Sequence, residues 1–279
     1  MAEPPELSIS VEGKDGHSWR LLSCIPAQPH TAVLWLPALG VAARHYLPFA
    51  QALANRGVAA FVHEWRWHGS SNLRADREHD WGYRELLDHD IPASEAAIAQ
   101  QLPSLDRALG GHSLGGQLAC CRVAIDPCAA SRVWLVGSGS PYWRAFPWPA
   151  RFALPLAYRF LPWLANRHGA LPGRRIGFGG AEARGVIADW AGTARSGRYA
   201  GKDVGVDLEA ALATIDVDIR AVLFTRDWYA PRSSLRFLLS KMPRANVAVA
   251  TLDAHTLGTR ADHFAWMRQP ERVVERLLE

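Results

Sequence analysis

The run Gly111-His112-Ser113-Leu114-Gly115, followed by Gly116, sets one hydroxyl among small residues at Gly-x-Ser-x-Gly spacing. A serine hydroxyl is a poor nucleophile at neutral pH. To attack a carbonyl it needs an imidazole to take its proton and a carboxylate to orient that ring. In a chain with 23 glycines the five-residue pattern carries little weight by itself, and its surroundings give it meaning. Leu105 to Leu109 reads as a short strand before it and Leu114 to Ile125 as a helix after it, the strand–turn–helix placement of a nucleophile elbow. Such a turn forces Ser113 into a strained backbone conformation, which explains small neighbours on both sides. It also sets Ser113 at the positive end of a helix, where a developing oxyanion is stabilised. Downstream, the candidate bases are His255 and His263, and the candidate acids are Asp227, Asp253 and Asp262.

The elements that must position these groups alternate along the chain. Residues 7 to 11 and Trp19 to Cys24 read as an antiparallel hairpin, and Thr31 to Leu36 as a strand buried on both faces. Tyr46 to Arg56 is a helix with Phe49, Ala50, Leu53 and Ala54 on one face, stopped by Gly57; Val58 to His63 is the next strand. A helix over 88 to 102 with an acidic first turn precedes the elbow. After it come strands at Arg132 to Val136, Ile219 to Thr225 and Val247 to Leu252, and helices at Arg232 to Met242 and Pro270 to Leu278. Alternation of this kind implies a mostly parallel sheet with helices on both faces and functional residues just past the carboxyl ends of strands. Asp227 follows the strand ending at Thr225, whereas Asp216 and Asp218 precede it and belong to the opposite edge. One interval is far longer than an ordinary connection. Residues 138–215 are rich in Trp, Arg, Pro and Gly and show no strand alternation, so they read as a helical lid inserted into a core formed by 1–137 and 216–279.

At this point the chain resembles the α/β-hydrolase superfamily over nearly its whole length. The resemblance rests on the hairpin, PALG after the third strand, EWRWHGSS after the fourth, GHSLGG, an insertion after the sixth, an acid after the seventh and a His near the end. ALGVAARHYLPFAQALANRGVAAFVHEWRWHGSS with YWR, GRRIGF, ADWAGTARSGRY and DHFAWMR is similar to a bacterial group of serine α/β-hydrolases whose substrate is uncharacterised. The resemblance implies an eight-stranded, mostly parallel sheet with a helical lid after strand 6. It further implies the chain order serine, acid, histidine: Ser113, Asp227 and His263, the last in Asp262-His263-Phe264 just before the final helix. The two backbone N–H donors of an oxyanion hole then map to Leu114 and to Leu39, with Gly40 as the alternative. Here the chain departs from the superfamily pattern, carrying Pro37-Ala38 in place of His-Gly. His68 falls in the HGSS turn, where the superfamily has a structural His-Gly.

Composition narrows the function classes. The chain has 279 residues, 49% hydrophobic and 21% charged, which excludes disorder, and no apolar run is long enough to span a membrane. Its 4 Cys show no Cys-x-x-Cys pair, and Asp88-His89-Asp90 sits at an expected helix start, so no metal site and no cofactor are expected. The net charge of +4 comes from 28 Arg and 3 Lys scattered among acids, which does not make a nucleic-acid surface. No basic-then-apolar leader opens the sequence, which points to a cytoplasmic protein. The expectation is a serine hydrolase that cleaves a carboxylic ester or thioester with an apolar acyl group. Trp143, Trp148 and Trp228 are expected to wall the acyl pocket, the other loop tryptophans, Trp65 and Trp67, being read first as core. Two rivals share the scaffold: an acyltransferase using the same acyl-enzyme, and a binding protein that keeps the fold without the chemistry.

Overall fold

A computed structural model describes residues 6–279. Eight strands form one sheet in the order β1-β2-β4-β3-β5-β6-β9-β10: Glu6–Glu12, Ser18–Cys24, Val58–Val62, Thr31–Leu36, Arg107–His112, Arg132–Val136, Asp218–Phe224 and Asn246–Leu252. β2 pairs antiparallel with both β1 and β4, and every pairing from β4 through β10 is parallel. Period-two alternation divides each inner strand between two cores. Ala32, Leu34 and Leu36 of β3 face a core shared with the helices Ile91–Gln101 and Leu114–Ile125. Val33 and Trp35 face the core formed with Leu47–Ala54 and Glu271–Leu278. In Leu47–Ala54 the four buried residues are Phe49, Ala50, Leu53 and Ala54, the face read from spacing.

Three local readings are corrected. The strand before the elbow runs from Arg107 to His112, so Gly110 and the first glycine of the motif, Gly111, belong to the strand itself, while Gly115 and Gly116 lie in the first turn of the helix. Gly110 and Gly111 lack the branched side chains that signal a strand, which hid its true end. The helix expected over 88–102 begins earlier, at Tyr83, and passes through a π-helical turn at Leu86–Asp90 before continuing as Ile91–Gln101. Asp88-His89-Asp90 therefore lies inside a helix rather than at its start. The insertion also contains strand: β7 (Ala170–Pro172) pairs antiparallel with β8 (Ala181–Ala183). Three residues each are too few to show alternation.

The lid is otherwise helical, as expected. Its long helix Ala150–His168 packs on Arg184–Ser196 through small residues, Ala165, Ala191 and Ala194, and through Tyr158 edge-on to Trp190 at 5.1 Å. The returning end of the insertion, Tyr199, Leu208 and Leu212, packs into the main core.

Candidate active site

Ser113 follows β5 directly, with φ 55° and ψ −117°, and opens the helix Leu114–Ile125. A non-glycine residue held at positive φ stores strain that the surroundings must enforce. Three contacts do so: Ser113 N–H donates to Val136 O at 3.1 Å, Ser138 Oγ donates to Ser113 O at 2.7 Å, and glycines clear the approach. A Cβ on Gly115 would strike the Leu36 carbonyl, and one on Gly111 would strike the Gly115 and Gly116 backbone. The hydroxyl thus stands beside the free N–H groups of a helix start.

His263 and Asp227 come together from loops after β10 and β9. His263 Nδ1 lies 2.7 Å from Asp227 Oδ2, with both residues buried. The other carboxylate oxygen, Asp227 Oδ1, accepts N–H bonds from Tyr229 at 2.9 Å and Ala230 at 3.1 Å, which fixes its orientation. The alternatives are occupied elsewhere. Asp253 caps a short helix through the Thr256 N–H, Asp262 accepts from the N–H groups of Phe264 and Ala265, and His255 is exposed.

The Leu39 loop turns sharply: Val41 N–H donates to Ala38 O at 3.1 Å, with Gly40 at φ +78°. Its first half is held by side chains. Trp65 Nε1 donates to Pro37 O at 2.9 Å, and Ala38 N–H donates to the Tyr46 hydroxyl at 2.9 Å. That hydroxyl also lies 2.8 Å from His112 Nδ1, within hydrogen-bond distance. Burial, with the neighbouring His263 adding to it, pushes His112 well below the usual imidazole range. His112 is therefore a neutral ring whose centroid lies 4.5 Å from that of His263, the two planes tilted by 44°, and it ties the elbow to the Leu39 loop. Sequence reading passed over both partners: His112 was only the variable position of the motif, and Tyr46 only a helix start.

Ser113, His263, Leu39 and Leu114 share one cavity of about 550 Å³ between sheet and lid, within the size range of small-molecule sites. Its wall carries no Asp, Glu, Lys or Arg; apart from Ser113, Gln117, His263 and tyrosines it is aliphatic, aromatic and glycine backbone. Trp228 lines it as expected. Trp143 and Trp148 do not: Trp143 packs against the lid core, and Trp148 is 71% exposed on the outside. The lid residues that do face inward are Phe146, Leu154, Tyr158, Phe178 and Trp190 among others. Trp65 is buried in the core and Trp67 packs against it. None of the lid arginines reaches the cavity.

Among the described residues, no group of three or more His, Cys, Asp or Glu could hold a metal ion. A second serine–histidine–aspartate arrangement does occur under the β1–β2 hairpin. His17 Nε2 lies 3.0 Å from Ser71 Oγ, and His17 Nδ1 lies 3.1 Å from Asp90 Oδ1. All three are buried, and none lines the active-site cavity. Arg66 grips Asp90 through Nε and Nη2, both at 2.7 Å, and reaches Asp15 at 2.6 Å. This cluster staples the hairpin to the π-turn. Beside it His63, at the end of β4, is fully buried between Trp19 and Trp65, and burial pushes its imidazole down to about 3. An unfolded chain protonates that histidine near pH 6.5, whereas the fold holds it neutral to about 3. Stability is thus fully present above pH ~6.5 and falls by up to about 1.4 kcal/mol per pH unit below it. A lower urea midpoint at pH 5 than at pH 7 is expected, and replacing His63 by Gln should flatten that slope.

Residues 32–276 match the model of the alpha/beta hydrolase family. No curated protein matches the chain. Solved structures of similar fold include the N-formylmaleamic acid deformylase of Pseudomonas putida S16, 17% identical, covering 98% of this chain and 100% of that one at TM-score 0.60. An esterase of Pyrococcus furiosus is 15% identical, covering 98% and 90% at TM-score 0.58. A thioesterase domain from the curacin biosynthetic pathway is 16% identical, covering 98% of each chain at TM-score 0.59.

Proposed function

Because the chain belongs to the alpha/beta hydrolase family, we propose that it cleaves an ester or thioester of an apolar, uncharged acyl group through an acyl-enzyme on Ser113. The observation that carries this reading is the convergence of a strained Ser113 and the buried His263–Asp227 pair on one uncharged, largely apolar cavity. In the proposed reaction His263 takes the Ser113 proton as the oxygen attacks the carbonyl carbon, and Asp227 holds the ring in the tautomer that accepts it. The N–H groups of Leu114 and Leu39 receive the oxyanion. Collapse of the tetrahedral intermediate expels the leaving alkoxide or thiolate with the proton from His263. Water, deprotonated by the same imidazole, then releases the acid. His112 stays neutral beside His263, so the charge that develops on His263 meets no second cation.

The wall chemistry supports an uncharged acyl group. A carboxylate or phosphate on the acyl portion would enter a cavity with no basic side chain to pair with it, a costly desolvation. Esters and thioesters from acetyl to lauroyl, together with an acidic succinyl ester, test this. The expected result is kcat/KM rising with acyl length by about fourfold for each buried methylene until the cavity is full, and poor turnover of the succinyl ester. A fluorophosphonate should label the wild-type protein once, at Ser113. Rapid labelling without turnover, but with acyl transfer to an added alcohol or thiol, would instead favour the acyltransferase.

A further inference from the structure

The lid carries an apolar stripe on its outer face. Along Ala150–His168, Phe152, Leu156, Phe160 and Trp163 recur at steps of four, four and three, so they share one side of the helix. They are 58%, 69%, 50% and 58% exposed, and Trp148, four residues before Phe152, is exposed too. Tyr158, Leu161 and Ala165 occupy the opposite, buried side. A contiguous run of large apolar side chains in water marks a contact surface.

Charge identifies the partner. From Ser138 through Gly180 there is no Asp or Glu, while Arg144, Arg151, Arg159, Arg167, Arg174 and Arg175 all lie exposed. None of the six forms an ion pair with a carboxylate among the described residues. Arg151 instead lies over the Phe152 ring at 5.1 Å and Arg144 over Trp143 at 4.9 Å. Aromatic side chains interleaved with unpaired arginines on one helix face match a bilayer interface, where rings sit at the headgroup level and guanidinium groups meet anionic lipid. A second copy of the chain fits badly, since two-fold pairing would set this cationic face against itself. The stripe also runs into the cavity mouth: Phe160, Ile176, Trp228 and Phe264 are both exposed and part of its wall.

We propose that the outer face of Ala150–His168 docks the protein on an anionic lipid surface, with the cavity mouth turned toward the lipid. Docking is peripheral; among the described residues no helix is long and apolar enough to cross a membrane. Sedimentation of the full chain with phosphatidylglycerol-rich vesicles, and with pure phosphatidylcholine vesicles, tests this. Wild-type protein should sediment with the former and be released by salt, because the Debye length shrinks to roughly 3 Å at 1 M. The combined Phe152→Ser, Leu156→Ser and Trp163→Ser variant, which leaves the cavity wall intact, should lose at least tenfold in partition. Arg151→Gln with Arg159→Gln should lose about tenfold or more at low salt. Thermal unfolding reports that the variants are folded, independently of any catalytic activity. Wild-type protein left in the supernatant overturns the proposal, as does a triple variant that sediments like wild type. So does a stripe that only joins two copies, seen as a dimer lost in the triple variant without vesicle binding.

Discussion

Ser113→Ala is expected to lower kcat for a p-nitrophenyl ester by about a million-fold, while leaving roughly a thousand- to ten-thousand-fold advantage over water. The residue removed is small and the change leaves both glycine clearances intact, so the variant should fold. Its stability should match wild type, since the bonds that hold this residue go through its N–H and carbonyl. Turnover near the wild-type rate would refute the acyl-enzyme. Loss of turnover with retained binding of a slow substrate separates loss of the nucleophile from loss of the cavity.

Asp227→Asn should cost about ten-thousand-fold in kcat with little change in KM. An asparagine can keep the Tyr229 and Ala230 N–H bonds through its carbonyl oxygen, so the loop holds its shape. Its amide, however, presents N–H rather than a carboxylate to His263 Nδ1. The imidazole then carries its proton on Nε2 and cannot accept from Ser113. Asp253→Asn and Asp262→Asn serve as controls. Both residues cap turns and asparagine caps nearly as well, so each change should cost little stability and leave kcat near wild type. Combining Asp227→Asn with Ser113→Ala should be no worse than Ser113→Ala alone, because parts of one relay do not add.

The placement of the candidate residues was legible wherever the sheet dictates position. Buried apolar strands announce themselves, and a parallel sheet delivers its loops to one edge; Asp227 followed from strand-end placement and the elbow from its glycines. The lid after β6 was legible in its helical character but not in orientation. Phe152, Leu156, Phe160 and Trp163 on one side of its helix are as apolar as Leu154, Tyr158 and Leu161 on the other, so no polar face tells which side looks inward. Trp143 and Trp148, before that helix, lie off the cavity wall, while Phe178 and Trp190, after it, line it. The buried Arg66–Asp90–His17 cluster joins residues up to 73 positions apart, a pairing that no local pattern encodes.

The lid is bound to the core unevenly. Its return turn lies so close to the Leu39 loop that a Cβ on Gly40 would meet the backbone of Gly179 and Gly180. Two residues on, Glu182 of β8 is 3.0 Å from His68 Nε2, both buried; burial alone would lower this imidazole, but Glu182 and Glu64 outweigh it and lift it. The half of the insertion nearest the Leu39 loop is thus moored to the core through buried side chains and close backbone, while the helix bearing the exposed stripe meets the core at its C-terminal end, where Arg77 donates to Arg167 O. Side chains on the exposed side of Ala150–His168 can therefore change without altering the contacts that hold the Leu39 loop.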